Sequence, residues 1–160
     1  MKIKVGIVGA GFAKAAYLPA FQHINSVDVI AIASSRLLSA KSCADEFNIP
    51  NYYDNWKKMI DNHNFDLICV ATPTDLHAPI SIYALEHGCH VLTEKPTAMN
   101  ANEAKKMLDI AVKNNRLHMI DHELRFNPNR KKIKDFIFSN KLGKIQHINI
   151  TNISNSWLDP

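Results

Sequence analysis

Residues 3–12 read Ile3-Lys4-Val5-Gly6-Ile7-Val8-Gly9-Ala10-Gly11-Phe12. Such a short run rich in Ile and Val suits a strand buried on both faces of a parallel sheet. It stops at a glycine turn. A helical stretch follows from about Phe12 to Gln22, bent or framed by Pro19.

The same alternation continues outward from that stretch. Buried strands are expected at Val27 to Ala33 and Phe65 to Ala71, further strands at Cys89 to Thr93 and Leu117 to Asp121, and a short one at about Asn51 to Tyr53. Helices lie between them. Ser34 or Ser35 caps the helix carrying Ala40, Cys43, Ala44 and Phe47. A short helix covers about Trp56 to Asn62. Asp75 caps the next, which ends at Gly88. Asn100 with Glu103 resembles a capping box. Asn127 and Pro128 open a last helix, and Ile145 to Ile153 reads as a strand. This order predicts an α/β fold: a doubly wound, mostly parallel Rossmann sheet with helices on both faces. The expected units are residues 1–122 for the sheet and 123–160 for a connecting helix and a strand.

Composition narrows the function. The chain has 160 residues, 46% hydrophobic and 21% charged, as in a globular protein. No apolar run approaches the roughly 20 residues needed to span a bilayer, so no membrane partner is expected. The Met-Lys-Ile-Lys-Val start has no signal-peptide pattern, and a cytoplasmic location is the default expectation. Cys43, Cys69 and Cys89 are widely spaced and form no Cys-x-x-Cys pair, so no metal site is expected. His118 and His122, four apart on a strand and its exit, lack the helical geometry of a paired-His site. Part of the +4 net charge clusters at Arg130, Lys131, Lys132, Lys134, Lys141 and Lys144. Without an accompanying nucleic-acid motif, that run reads as a solvated helix face, and no nucleic-acid partner is expected.

In a doubly wound sheet, ligands bind beyond the carboxyl ends of the strands. Gly9 permits the tight turn out of the first strand, and Gly11 lets the backbone approach a pyrophosphate. The following helix offers free N–H groups to the phosphates. The third fingerprint position is Lys14, a departure from Gly or Ala. The second strand ends in Ala33-Ser34-Ser35-Arg36, where an acidic residue would bind the 2′-hydroxyl of NAD. Hydroxyls and a guanidinium suit a 2′-phosphate, so NADP(H) is favoured and NAD(H) possible. A purely structural alternative makes Ser34 a cap and Arg36 a surface residue.

The stretch from Val70 to Thr97 contains Val-Ala-Thr-Pro-Thr-Asp-Leu-His, then Gly88-Cys89-His90-Val91-Leu92-Thr93-Glu94-Lys95-Pro96. With the glycine turn, the Ala40 to Phe47 helix and Arg125-Phe126-Asn127-Pro128, it closely resembles the Gfo/Idh/MocA family of oxidoreductases. The resemblance implies that Gly9, Gly11, Phe12 and Ala13 approach the pyrophosphate. Ser34, Ser35 and Arg36 would surround the adenosine ribose. Thr72, Pro73 and His77 would line the middle of the cofactor, although His77 could equally bond a neighbouring loop. Glu94 would approach the nicotinamide ribose, and Lys95 would point toward the substrate. A cis bond before Pro96 would be in keeping.

A lysine beside a reacting hydroxyl can hydrogen-bond it and help its proton depart, which makes Lys95 the catalytic candidate. A solvated loop cation is its plainer reading. His122 and Arg125 are candidates for a polar substrate, with Arg125 equally able to pair a carboxylate at the domain connection. The family implies an NAD(P)-dependent dehydrogenase or reductase acting on a sugar, polyol or related compound, or else a non-catalytic NAD(P)-binding regulator. Its members are generally much longer. Their second domain supplies much of the substrate pocket and commonly a homo-oligomer interface. Residues 123–160 would then be the connecting helix and first strand of an incomplete α+β second domain, so the chain reads as truncated, and as inactive alone.

Overall fold

The structure is a computed structural model, and it describes residues 2–151 and 153. Two compact units are present, Met1–His122 and Glu123–Pro160. The first holds six strands: β1 (Ile3–Val8), β2 (Val27–Ala33), β3 (Asn51–Tyr53), β4 (Leu67–Val70), β5 (His90–Glu94) and β6 (His118–Asp121). They pair in the order β3-β2-β1-β4-β5-β6, and every pairing is parallel. This is the expected doubly wound sheet, with its strand order reversing between β1 and β4.

Its helices are α1, α2 (Leu37–Phe47), α3 (Trp56–Asn62), α4 (His77–Glu86) and α5 (Ala101–Lys113). α1 runs through Ala10–Phe12, a π-helical turn Ala13–Tyr17 and Leu18–Phe21. Pro19 gives a reason for the wide turn. Its ring would collide with the carbonyl four residues earlier in a regular helix, and a π turn opens that space.

Side chains alternate along each strand, so two cores form. Val8, Ala33, Ile68, Val70 and Val91 pack with Met59, Ile60, Ile80, Ala84, Leu85 and Ala111 of α3, α4 and α5. Val5, Ile7, Ile32 and Cys69 pack with Ala10, Ala13, Tyr17, Leu18, Cys43 and Ala44 of α1 and α2. Each large buried side chain contributes roughly 1.5–3 kcal/mol. The small residue packed against the sheet is Ala13, fully buried, while Lys14 turns outward to pair with Glu46. The missing third glycine therefore costs little at this contact.

Caps are where the structure both meets and corrects the expectations. The Asn100 side chain accepts from the Glu103 N–H, and Asn127 accepts from the N–H groups of Asn129 and Arg130. Gly88 follows α4 at φ 81°, the left-handed end expected of it. Neither Ser34 nor Ser35 caps α2. Arg36 occupies the N-cap position with extended backbone and no side-chain bond. Asp75 caps nothing either, because a 3-10 turn at Thr74–Leu76 leads into α4 and takes its place.

In the second unit, a 3-10 turn (Glu123–Phe126) precedes α6 (Pro128–Phe138). The strand expected at Ile145 to Ile153 is not formed among its described residues, 145–151 and 153. A strand exists through ladder bonds to a neighbour. Among the described residues, no strand pairs with this segment.

Beneath β5, Ser81 Oγ lies 2.8 Å from Thr93 Oγ1, which lies 3.0 Å from His118 Nε2. Burial holds the His118 pKa below its ordinary value of about 6.5. Below that value the unfolded chain takes up the proton before the folded one does, so this contribution is intact above about pH 6.5 and declines as pH falls. Urea unfolding from pH 7.5 to about 5 should show that decline, and His118→Gln should reduce it. Identical pH slopes in the two proteins would contradict the assignment.

Candidate cofactor site

Register places the ends of the strands on one row. Val8 is level with Ala33 of β2 and with Val70 of β4. Ala33 is level with Tyr53, and Val70 with Thr93. Bonds between the strand exits carry the row onward: Gly9 N–H donates to Ala33 O at 2.8 Å, Ser34 N–H to Tyr53 O at 3.0 Å, and Ala71 N–H to Val8 O at 2.8 Å. The residues leaving each strand therefore emerge along one edge. There they line a cleft of about 800 Å³ beside the point where the strand order reverses.

Of the residues expected at a cofactor, Gly9, Gly11, Phe12, Ser34, Ser35, Thr72 and Pro73 line this cleft. Gly9 has φ 109°, and a Cβ there would fall 2.1 Å from the Ala71 carbonyl oxygen. Only glycine fits that turn. A Cβ on Gly11 would meet nothing within 4 Å. Bare backbone thus faces open space at the start of α1, a position suited to a phosphate. The Thr72 hydroxyl oxygen is buried and has no hydrogen-bond partner among the described residues. An orphaned buried hydroxyl on a cleft wall is one that a ligand can satisfy. Glycine turn, open helix start and free hydroxyl together fit a dinucleotide.

The other expected residues lie elsewhere. Ala13 is in the core beneath the turn. Arg36 stands outside the cleft lining, at the start of α2. His77 does not face the cleft. It is buried, with Nδ1 2.8 Å from the Pro96 carbonyl oxygen and Nε2 2.8 Å from that of Thr72. It thereby ties the wall of the cleft to the Lys95–Pro96 turn, which contains a cis peptide bond. A neutral imidazole can donate to only one of these carbonyls, and an imidazolium to both.

Glu94 ends β5 and is 7% exposed. Tyr17 Oη donates to its Oε1 at 3.0 Å, and the Lys95 N–H donates to its Oε2 at 3.2 Å. Burial raises the Glu94 pKa above the ordinary carboxylate range, and these two donors pull it back. Lys95 is exposed, as is His122 at the end of the first unit. Arg125 belongs to the second unit, in its 3-10 turn.

Asp54, Asn55, Trp56 and Lys57, which carry no cofactor motif in the sequence, also line the cleft after β3. The rule that ligands collect beyond strand ends could have pointed to them once β3 was recognised. Asn55 also caps α3 by accepting from the N–H groups of Lys57 and Lys58. Trp56 packs edge-on against Tyr83, with Lys57 Nζ 5.4 Å from the indole centroid.

Comparison with known proteins agrees with this geometry. The chain is 30% identical to levoglucosan dehydrogenase of Pseudarthrobacter phenanthrenivorans, over 99% of this chain and 43% of that protein. It is 29% identical to D-glucoside 3-dehydrogenase of Escherichia coli, over 89% of this chain and 41% of that protein. The chain thus spans less than half the length of these curated relatives. Among solved structures, it matches a variant 3-ketoreductase from Actinomadura kijaniata in complex with TDP-benzene and NADP. The TM-score is 0.84 at 26% identity, covering 91% of this chain and 46% of that one. The myo-inositol 2-dehydrogenase of Lactobacillus plantarum matches with a TM-score of 0.83 at 26% identity, covering 91% and 43%. Residues 3–122 match the oxidoreductase family with an NAD-binding Rossmann fold named for Gfo, Idh and MocA, and the chain belongs to that family.

Proposed function

We propose that this chain is the cofactor-binding part of an NADP(H)-preferring dehydrogenase or reductase that acts on a sugar or polyol. The observation that carries the reading is the aligned edge: a glycine turn only glycine can make, an open helix start, and a Thr72 hydroxyl on the cleft wall with no partner among the described residues. Gly9, Gly11 and Phe12 hold the pyrophosphate at the start of α1. Ser34 and Ser35 bind the adenosine ribose, with Arg36 beside them at the head of α2. No carboxylate lies between Ala33 and Arg36, which favours a 2′-phosphate over a bare 2′-hydroxyl. Thr72 and Pro73 form the facing wall, and Glu94 lies toward the nicotinamide ribose. His77 serves this site by holding the Thr72 loop to the Pro96 turn.

A bound nicotinamide supplies a two-electron carrier for hydride transfer. The chain's part in the chemistry falls to Lys95. Lys95 is exposed on the turn after β5, where its side chain can hydrogen-bond a substrate oxygen and, as the neutral amine, take up the proton that leaves a hydroxyl on oxidation. His122 would add a polar contact to the substrate. The sugar or polyol class is supported by relatives that are named for glucoside and levoglucosan oxidation. The remaining length of those relatives would hold most of the substrate pocket and a homo-oligomer interface. Three free, buried cysteines fit a cytoplasmic setting.

Calorimetric titration should find NADPH bound at least about tenfold more tightly than NADH, a difference of about 1.4 kcal/mol. Equal or tighter NADH binding would reverse the preference. Lys95→Ala should leave NADPH affinity within about threefold of the parent. Joined to a complete second domain, it should lower polyol turnover by about 100-fold or more. A large loss of NADPH affinity would instead make Lys95 a cofactor ligand.

A further inference from the structure

We propose that Tyr17 is a positioning residue that fixes the Glu94 carboxylate for the nicotinamide half of the cofactor, a role that rests on the cofactor reading above. Tyr17 closes the π-helical turn of α1, and Glu94 ends β5, 77 residues later. The two side chains are 6% and 7% exposed, so little water competes for their bond. Burial and the nearby Glu94 carboxylate both favour the protonated phenol, which leaves Tyr17 a donor across the working pH range. With Tyr17 on Oε1 and the Lys95 N–H on Oε2, each carboxylate oxygen is held by one donor. Each keeps a lone pair for a ribose hydroxyl.

Other groups around Glu94 sharpen this role. Asp121, level with Glu94 on β6, acts against the anion, and the Lys95 ammonium acts for it. Without the phenol, burial and Asp121 would face fewer opposing contacts. The Tyr17 ring also packs edge-on against Phe12, their centroids 5.5 Å apart, and Phe12 lines the cleft. One side chain therefore touches both the phosphate turn and the carboxylate. The π turn sets its direction, since widening the helix changes where the following side chains point.

Tyr17→Phe removes the hydroxyl and keeps the ring, which separates the two contacts. Carbon-13 NMR of the cofactor-free chain should show the Glu94 carboxyl titrating about one pH unit higher in this variant. NADPH affinity should fall about fivefold. Affinity for 2′,5′-ADP, which lacks the nicotinamide half, should stay within about twofold. In a Glu94→Gln background, Tyr17→Phe should add no further loss of NADPH affinity. An unmoved Glu94 titration would overturn the proposal. So would equal weakening of NADPH and 2′,5′-ADP, because Tyr17 would then act through Phe12 and the phosphate turn. Failure of the unaltered chain to bind either NADPH or NADH would sink the cofactor reading and the ligand half of this proposal. The carboxyl titration would still decide whether Tyr17 holds Glu94.

Discussion

The parallel ladder that sets Val8 level with Ala33 and Val70 is the constraint on which the site depends. Side chains in a strand repeat every two residues, so a slip of one register step would turn each apolar set toward the wrong layer. Two buried cores fix the register here, one on each face of the sheet. Once it is fixed, the ends of the strands have no freedom. Gly9, Ser34, Asp54 and Ala71 must leave the sheet along one edge, and the cleft lies where they leave. Stability and site are consequences of one pairing pattern.

A row of loops would still be a loose site without cross-ties. Three kinds are present. Backbone bonds join Gly9 to Ala33, Ser34 to Tyr53 and Ala71 to Val8. The His77 ring spans the Thr72 loop and the turn at Pro96. Tyr17 joins the helix after the glycine turn to the carboxylate that ends β5. The last two fasten the glycine turn and the Thr72 wall of the cleft to the Glu94-Lys95-Pro96 turn beyond its lining. Sites whose members are held by such supporting bonds keep their geometry better than sites carried on free loops.

The fold was readable because parallel strands covered on both faces appear as uninterrupted apolar runs, as in Val5 to Val8 and Leu67 to Val70. Caps that depend on neighbours three residues apart were readable for the same local reason, as Asn100 with Glu103 shows. Features set by distant partners were not. Nothing near Tyr17 in sequence announces a bond to Glu94, and nothing near His77 announces two carbonyls from different loops. The Ser34 cap failed because the backbone delays the helix until after Arg36. The segment from Ile145 has strand composition, yet composition alone makes no ladder. Family resemblance pointed to Glu94 and Lys95, whereas geometry was needed to find Asp54 to Lys57 on the cleft wall.

Amide chemical-shift mapping of the isotope-labelled chain during NADPH addition would locate the bound cofactor on the sheet. The shifts should concentrate at Gly9 to Phe12, Ser34 to Ser35 and Thr72, along the carboxyl edge of the sheet. Shifts centred instead on Ile3, Asp66 and His90, at the opposite ends of the same strands, would contradict that placement. So would no change at all at saturating cofactor.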